Sequence, residues 1–284
     1  MPSDVITSIS QVRDRVTQAR RANRRIGLVP TMGALHEGHK RLIDLARAEC
    51  DLVVVSVFVN PLQFDREDDL NKYPRTLESD VDMCSASHVD AVFAPPVAEM
   101  YPSPLECVVD VGRIADHLCG RFRPGHFRGV ATVVLKLFQI AQPDRAYFGE
   151  KDAQQLALIR RLVADFNVPV EVVAVPTVRE PDGLALSSRN KRLKLDERQI
   201  ATVLYDALRV AKSHIEAGMR DPGAVREAAE RVIQKQERVR LEYLEIVDPG
   251  DMQPVGWIER PVVVAGAIWV GATRLIDNVI CVPR

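Results

Sequence analysis

Apolar positions along this chain fall into short, dense, β-branched runs separated by stretches of helical period. The runs at 26–29, 52–59, 89–94, 105–111, 146–148 and 170–175 read as strands. The second of them, Leu-Val-Val-Val-Ser-Val-Phe-Val, is nearly unbroken, as expected of a strand covered on both faces. Helical spacing recurs over 8–25, 40–49, 76–87, 113–119 and 130–140, and from 149–152 onward to 165. Ser8 or Ser10 is placed to cap the first of these helices, and Thr76 the one over 76–87. The segment 65–73 reads as charged loop, and 121–128 as a basic loop holding Arg123 and His126. Strands alternating with helices at this spacing predict an α/β fold, a doubly wound parallel sheet of Rossmann-like type.

After Thr177 the pattern changes. A polar loop over 180–190 precedes helical stretches at 195–217 and 224–236, and strand-like runs follow at 241–247, 262–270 and 274–282. Helices first and strands later indicate a second, smaller α+β domain, so the expected division is 1–177 and 178–284. Neither half contains an internal repeat or a low-complexity segment.

With 284 residues, 46% of them apolar, the chain is long enough for two cores. A formal net charge of −1 provides no broad basic field for a nucleic-acid backbone. The arginine-rich segment 20–25 reads instead as the solvated end of the first helix, where cations suit the dipole. The five cysteines are scattered and form no C-x-x-C pair, which suits a reducing compartment and thiols used as small apolar residues. No leader-like segment opens the sequence and no apolar run is long enough to cross a bilayer, so the expectation is a soluble, cytoplasmic protein without a membrane partner.

Three loops carry candidate chemistry. The first, Leu-Val-Pro-Thr-Met-Gly-Ala-Leu-His-Glu-Gly-His over 28–39, leaves a strand and enters a helix. Its glycines permit close approach of backbone to a ligand, and a helix N-terminus offers unpaired N–H groups to an anion. His36 and His39, three residues apart, lean over one spot if the helix starts near Glu37, and both can donate to phosphate. A zinc half-site and a pair of solvated histidines are the alternatives. The second loop, Gly149, Glu150, Lys151 and Asp152, repeats the strand-to-helix geometry and carries an ammonium; a merely solvated helix start is its plain alternative. The third, Leu186, Ser187, Ser188, Arg189 and Asn190, combines hydroxyls, backbone N–H groups and a guanidinium fork suited to a triphosphate, although Ser-Ser-Arg alone is ordinary loop composition.

Taken together, His-x-Gly-His at a helix start and a downstream Ser-Ser-Arg loop make the chain resemble the class I adenylyl-transfer superfamily. Within it the chain resembles the pantothenate synthetase (pantoate–β-alanine ligase) family. The resemblance covers nearly the whole chain and rests on 30–39, on Phe-Val-Asn-Pro-Leu-Gln-Phe at 58–64, on Tyr-Pro-Arg-Thr at 73–76, on Tyr-Phe-Gly-Glu-Lys-Asp at 147–152 through Gln155, and on 187–189. It implies an ATP site lined by Met32, Gly33, Ala34, Leu35, His36, Glu37, Gly38 and His39, by Gly149, Glu150, Lys151 and Asp152, by Val178, and by Leu186, Ser187, Ser188 and Arg189. Val178 would touch adenine, and the family often carries Met where this chain has Leu186. His36, His39, Lys151 and Arg189 are the implied catalytic residues, with His39 as the proton donor. Gln63 and Gln155 would bind pantoate, and Gln63 with Asn60 β-alanine. Asp80 matches an acid near the family's Mg²⁺, with a solvated helix acid as the alternative. Arg123 and His126 occupy a loop the family also has; either faces the amine site, with a packing or interface role as the alternative.

The implied reaction joins pantoate to β-alanine, with ATP as substrate accompanied by Mg²⁺, through a pantoyl adenylate that releases AMP and pyrophosphate. A nucleotidylyltransferase with a stable adenylylated product, an aminoacyl-tRNA synthetase lacking its basic extension, and a non-catalytic nucleotide-binding regulator are the rival readings. The family is dimeric, so a homodimer is expected, with the apolar helix over 130–140 available as an interface.

Overall fold

The computed structural model describes residues 3–284. In chain order it begins with β1 (Asp4–Ile6), α1 (Ile9–Arg21), β2 (Ile26–Thr31), α2 (Glu37–Glu49), β3 (Leu52–Val57), α3 (Glu67–Asn71), α4 (Leu77–Ala86), β4 (Ala91–Phe93) and α5 (Val97–Met100). Next come α6 (Leu118–Phe122), α7 (His126–Ala141), β5 (Arg145–Gly149), α8 (Ala153–Asp165) and β6 (Glu171–Val175). The remainder is α9 (Leu195–Ile200), α10 (Val203–Glu216), α11 (Pro222–Gln234), β7 (Val239–Val247), β8 (Val262–Val270) and β9 (Thr273–Cys281). Two compact units result: one holds the chain up to Val111 with Arg123–Glu150 and Ile159–Pro176, the other Gly112–Phe122, Lys151–Leu158 and Thr177–Arg284.

In the first unit the described strands make one sheet in the order β1-β4-β3-β2-β5-β6, with every pair parallel. From β2 the chain steps outward through β3 and β4, then returns to the other side with β5 and β6. The reversal therefore lies between β2 and β5, which pair Gly27 with Arg145 and Leu28 with Ala146. Ligands of open α/β sheets bind beyond the carboxyl ends of strands at such a point. The unbroken apolar run of β3 is explained by cover on both faces: Val53 and Val55 are fully buried on one face with Val29, Ile43 and Val92, and Leu52 and Val54 are buried on the other. Each such side chain contributes roughly 1.5–3 kcal/mol of burial. Ser8 starts α1 with a capping box, its hydroxyl accepting the Gln11 N–H while the Gln11 side chain accepts the Ser8 N–H.

The second unit contains an antiparallel sheet in the order β7-β8-β9, with α10 packed on β8 and β9, and α11 on α10 and β7. Its core includes Leu204, Leu208, Ile215, Ile233, Val264 and Ile268. No described helix in either unit is long and apolar enough to cross a membrane.

Several local expectations change. The run at 105–111 forms no strand, since it lies mostly exposed and its Val109 N–H donates to the Thr132 hydroxyl at 3.0 Å instead of to a neighbouring strand. The charged stretch 65–73 contains the short helix α3, and 113–119 divides into a single 3₁₀ turn, Arg113–Ala115, and the start of α6. The long helix expected over 195–217 is two, α9 and α10, although Ala201 and Thr202 between them keep right-handed angles. The helix expected over 130–140 starts earlier, at His126, and offers no spare apolar face: Val130, Val133, Val134, Leu137, Phe138 and Ile140 are all buried within the chain itself.

Candidate active site

The loop that follows β2 is held by side chains rather than by regular secondary structure. Thr31 Oγ1 donates to the Ser56 carbonyl at 2.6 Å and accepts the Gly33 N–H at 3.1 Å. Gly33 (φ 83°) and Ala34 (φ 52°) then take left-handed conformations. A Cβ on Gly33 would lie 2.9 Å from Asp80 Oδ2, so both backbone angle and space call for glycine there. The next two N–H groups, of Ala34 and Leu35, donate to Asp80 Oδ2 and Oδ1 at 3.0 and 2.8 Å. Asp80 is 1% exposed, and the Thr76 hydroxyl sits 3.3 and 3.4 Å from its two oxygens, so Thr76 stands at the N-cap of α4, as expected, but its hydroxyl serves Asp80 rather than a backbone N–H. Both oxygens of Asp80, the acid expected near Mg²⁺, therefore serve the loop backbone.

α2 begins at Glu37 with His36 as its N-cap. His36 Nδ1 accepts the Gly38 N–H at 3.1 Å, and His39 Nδ1 accepts the His36 N–H at 3.3 Å. A ring nitrogen that accepts an N–H carries no proton, so each imidazole is the neutral tautomer with its proton on Nε2. The rings lie 4.1 Å apart, centroid to centroid, tilted by 45°. Two Nε2–H donors thus stand side by side at the positive end of a helix. This arrangement suits an anion and disfavours zinc, which needs an imidazole lone pair where these rings carry hydrogen.

Past β3, Asn60 and Gln63 bracket a 3₁₀ turn, Pro61–Gln63. Asn60 Nδ2 donates to Gln63 Oε1 and to the Gly129 carbonyl, both at 3.1 Å, while Asn60 Oδ1 accepts the Tyr101 hydroxyl at 2.8 Å. Asn60 is 1% exposed, so these bonds lie out of water and its amide orients that of Gln63. Gln63 Nε2 donates to the Met32 thioether at 2.9 Å. Sulfur is a weak acceptor, so a carboxylate or hydroxyl oxygen competes for this donor easily. Gly149 closes β5 paired with Val175, and Glu150 starts the 3₁₀ turn that follows.

Within the second unit Lys151, Ser187 and Arg189 line a common narrow crevice with Asp277 and Tyr205. The Lys151 side chain is 17% exposed, with Nζ 3.9 Å from Asp152. The Leu186 N–H donates to the Val178 carbonyl at 2.9 Å, which ties the position expected at adenine to the Ser-Ser-Arg loop. Ser187 caps the turn Ser188–Arg192 through the Arg189 N–H, at 3.2 Å. Gln155 is half-buried in the first turn of α8, beside Gln154, whose amide donates to the Ile114 and His117 carbonyls at 2.8 Å. Residues that the sequence did not mark support this crevice. Asn278 Nδ2 donates to the Lys151 carbonyl at 2.9 Å, and Arg179 grips Asp277 with two bonds of 2.6 and 2.9 Å while stacking 4.0 Å over Tyr205. No motif spacing reveals them, because the Asn278 contact spans 127 residues.

Known proteins resemble this chain along nearly its whole length. The family model described as pantoate-beta-alanine ligase matches residues 4–280. The chain is 49% identical over 276 residues to the pantothenate synthetase of Caldicellulosiruptor saccharolyticus, covering 97% of this chain and 98% of that one. The crystal structure of pantothenate synthetase from Thermus thermophilus superposes with a TM-score of 0.92 at 44% identity, over 97% of this chain and 98% of the other. Pantoate-beta-alanine ligase from Francisella tularensis, crystallised in complex with beta-gamma ATP and beta-alanine, superposes with a TM-score of 0.81 at 35% identity, over 98% and 97% of the two chains. With its length matched almost end to end by one family, the chain belongs to the pantoate–β-alanine ligases.

Proposed function

We propose that this ligase condenses pantoate with β-alanine in two chemical steps, through an enzyme-held pantoyl adenylate. The pantoate carboxylate attacks the α-phosphorus of ATP, which enters with Mg²⁺ as its substrate complex, and pyrophosphate departs. The β-alanine amine then attacks the acyl carbon, an amide forms, and AMP leaves. No covalent bond to the protein is needed at either step. Its task is to place the reactants, exclude water, and meet charge where it develops.

The observation that carries this reading is the pair of imidazoles fixed as Nε2–H donors at the start of α2. They bind the phosphates without a proton change, and the departing pyrophosphate gathers charge that these donors stabilise. His39, the proton donor that the resemblance implies, meets the leaving group as a hydrogen-bond donor through its neutral Nε2–H. Met32, Gly33, Ala34, Leu35, Glu37 and Gly38 supply the surrounding backbone. Gly149, Glu150, Lys151 and Asp152 hold ribose and phosphates, Val178 adenine, and Leu186 with Ser187, Ser188 and Arg189 the triphosphate. Gln63 and Gln155 bind pantoate, since a neutral amide pairs with hydroxyl and carboxylate oxygens without adding a nucleophile. Gln63 also lies beside β-alanine. Asp80 serves as the anchor of the phosphate loop, a part supported by its two main-chain bonds. The functional division falls near Thr177, so that residues 178–284 bring the Ser-Ser-Arg loop. The assembly is a cytoplasmic homodimer. Four of the five thiols, those of Cys50, Cys84, Cys119 and Cys281, lie buried and unlinked, which supports a reducing compartment.

The test is a product analysis with ATP, pantoate and β-alanine. AMP, pyrophosphate and a new amide in equal amounts are expected. ADP with inorganic phosphate overturns the adenylate route, and a stable adenylylated product without amide points to a nucleotidylyltransferase.

A further inference from the structure

The Gln63 carbonyl accepts two hydrogen bonds from residues on or beside the start of α7, His126 Nδ1 at 2.7 Å and Arg123 Nη2 at 3.2 Å. Arg123 also reaches His126 directly, with Nη1 3.2 Å from Nε2. A guanidinium has only donors, so the Nε2 atom must accept, and the proton of His126 is placed on Nδ1, facing the Gln63 carbonyl. Arg123 is fixed in turn by Asp65, whose Oδ1 accepts from Nε at 3.2 Å. His126 is 9% exposed and the Arg123 side chain 14% exposed, so these bonds form largely out of water. Elsewhere in this turn the main-chain bonds are long, from the Leu62 N–H to Asn60 Oδ1 and from the Phe64 N–H to the Pro61 carbonyl, both 3.3 Å, and Gln63 is no more tightly held. Its own N–H bond, to the Asn60 carbonyl, is long at 3.4 Å.

We propose that Arg123 and His126 are positioning residues for the acid substrate: they clamp the main chain of Gln63, and so aim its side-chain amide at pantoate. The two ends of Gln63 are then set by different partners, the carbonyl by this clamp and the amide oxygen by Asn60. Arg123 acts twice, once on the carbonyl and once by selecting the His126 tautomer. The inference rests on Gln63 as a pantoate ligand, and it assigns to the basic loop a part distinct from contact with substrate.

The experiment compares His126→Leu, His126→Asn, Arg123→Lys and Gln63→Ala in steady-state kinetics with each substrate varied in turn. Asparagine places an amide N–H near the Nδ1 position, so it keeps the bond to the Gln63 carbonyl. Lysine keeps the charge facing Asp65 but lacks the fork needed to hold His126 and the carbonyl together. His126→Leu is expected to lower kcat/KM for pantoate by up to about 100-fold, the scale of a misplacement near 1 Å. His126→Asn should recover most of that loss, Arg123→Lys should fall between them, and KM for ATP should stay near wild type in all three. Equal losses in the leucine and asparagine variants, or losses that fall equally on ATP and pantoate, overturn the clamp and leave a general packing role. If His126→Leu does not fold, the Arg123→Lys and His126→Asn profiles decide the matter alone. A wild-type kcat/KM for pantoate in Gln63→Ala removes the site reading beneath the inference. A large loss in Gln63→Ala beside wild-type kinetics in the clamp variants removes the inference and leaves the site reading standing.

Discussion

Asp80, on α4, accepts the main-chain N–H of Leu35 at 2.8 Å across 45 residues of sequence. With its second oxygen on Ala34, it fixes the backbone just before the two histidines. Asp80→Asn keeps the shape but turns an amide N–H toward a backbone N–H, so at least one of the two bonds is lost. A hydrogen bond to a charged group contributes about 1.5–3 kcal/mol, and that is the expected loss of stability. KM for ATP should rise as the loop loosens, while the Mg²⁺ concentration for half-maximal activity stays unchanged. Denaturant unfolding and a Mg²⁺ titration check both halves, and a large shift in Mg²⁺ requirement with normal stability would restore Asp80 as a metal contact.

His36→Ala removes one of the two Nε2–H donors together with the N-cap of α2. Turnover should fall by roughly 2.7–4 kcal/mol in barrier terms, the scale seen when a preorganised donor to developing charge is deleted. Stability should fall by only about 1 kcal/mol, the usual cost of a lost cap. In the wild-type protein, nitrogen NMR of labelled histidine should find Nδ1 unprotonated in both rings at neutral pH. Protonated Nδ1 in either ring would contradict the tautomers, and wild-type turnover in the variant would take His36 out of the mechanism.

The parallel sheet and the loop after β2 were legible because burial on both faces writes itself as a continuous apolar run, of which β3 is the clearest case. The pairing of His36 and His39 followed from helix geometry once Glu37 was taken as the first helical residue. Elements without a periodic signal were not legible. β1 is three residues long, too short to show alternation. The run at 105–111 has strand composition but no partner to pair with, and propensity without a partner builds no ladder. The assignment of Lys151–Leu158 and Gly112–Phe122 to the second unit depends on long-range contacts such as Asn278 with Lys151, which leave no mark in local spacing. Asn60 shows the same limit within a motif: the resemblance implied a ligand contact, and local spacing gave no sign of its distant partners, the Tyr101 hydroxyl and the Gly129 carbonyl.

The thiols should divide sharply by reactivity. Burial pushes Cys84 and Cys281 up to about 12, so both stay protonated at pH 8, while Cys107 is exposed. The thiolate is the reactive form, so a disulfide reagent at pH 8 should modify about one thiol quickly in the native protein. Cys107→Ser should abolish that phase and leave activity intact. Two or more fast equivalents would show that one of the buried sites opens readily.

A homodimer makes a prediction about surfaces. Because the apolar residues of α7 are already covered by their own chain, the contact must use other residues, and Val130 or Leu137 substitutions should alter stability before association. Sedimentation at micromolar concentration should find twice the 31.7 kDa chain mass. A single 31.7 kDa species under those conditions would exclude the dimer.

The adenylate route and a phosphorylated-acid route differ in which phosphorus the carboxylate attacks. On the proposed reading the donors at His36 and His39 hold the departing pyrophosphate, which makes the α-phosphorus the electrophile. Pantoate carrying heavy oxygen in its carboxylate should therefore transfer one label to AMP during turnover with β-alanine. Without β-alanine, pyrophosphate should still appear, up to about one equivalent per site, since a retained adenylate shielded from water has no amine to meet. His36→Ala should slow that burst by the same factor as steady-state turnover if the first step limits the rate in the variant. Label in inorganic phosphate, or ADP as the nucleotide product, would reassign these loops to holding a transferred γ-phosphoryl group and would overturn the proposed mechanism.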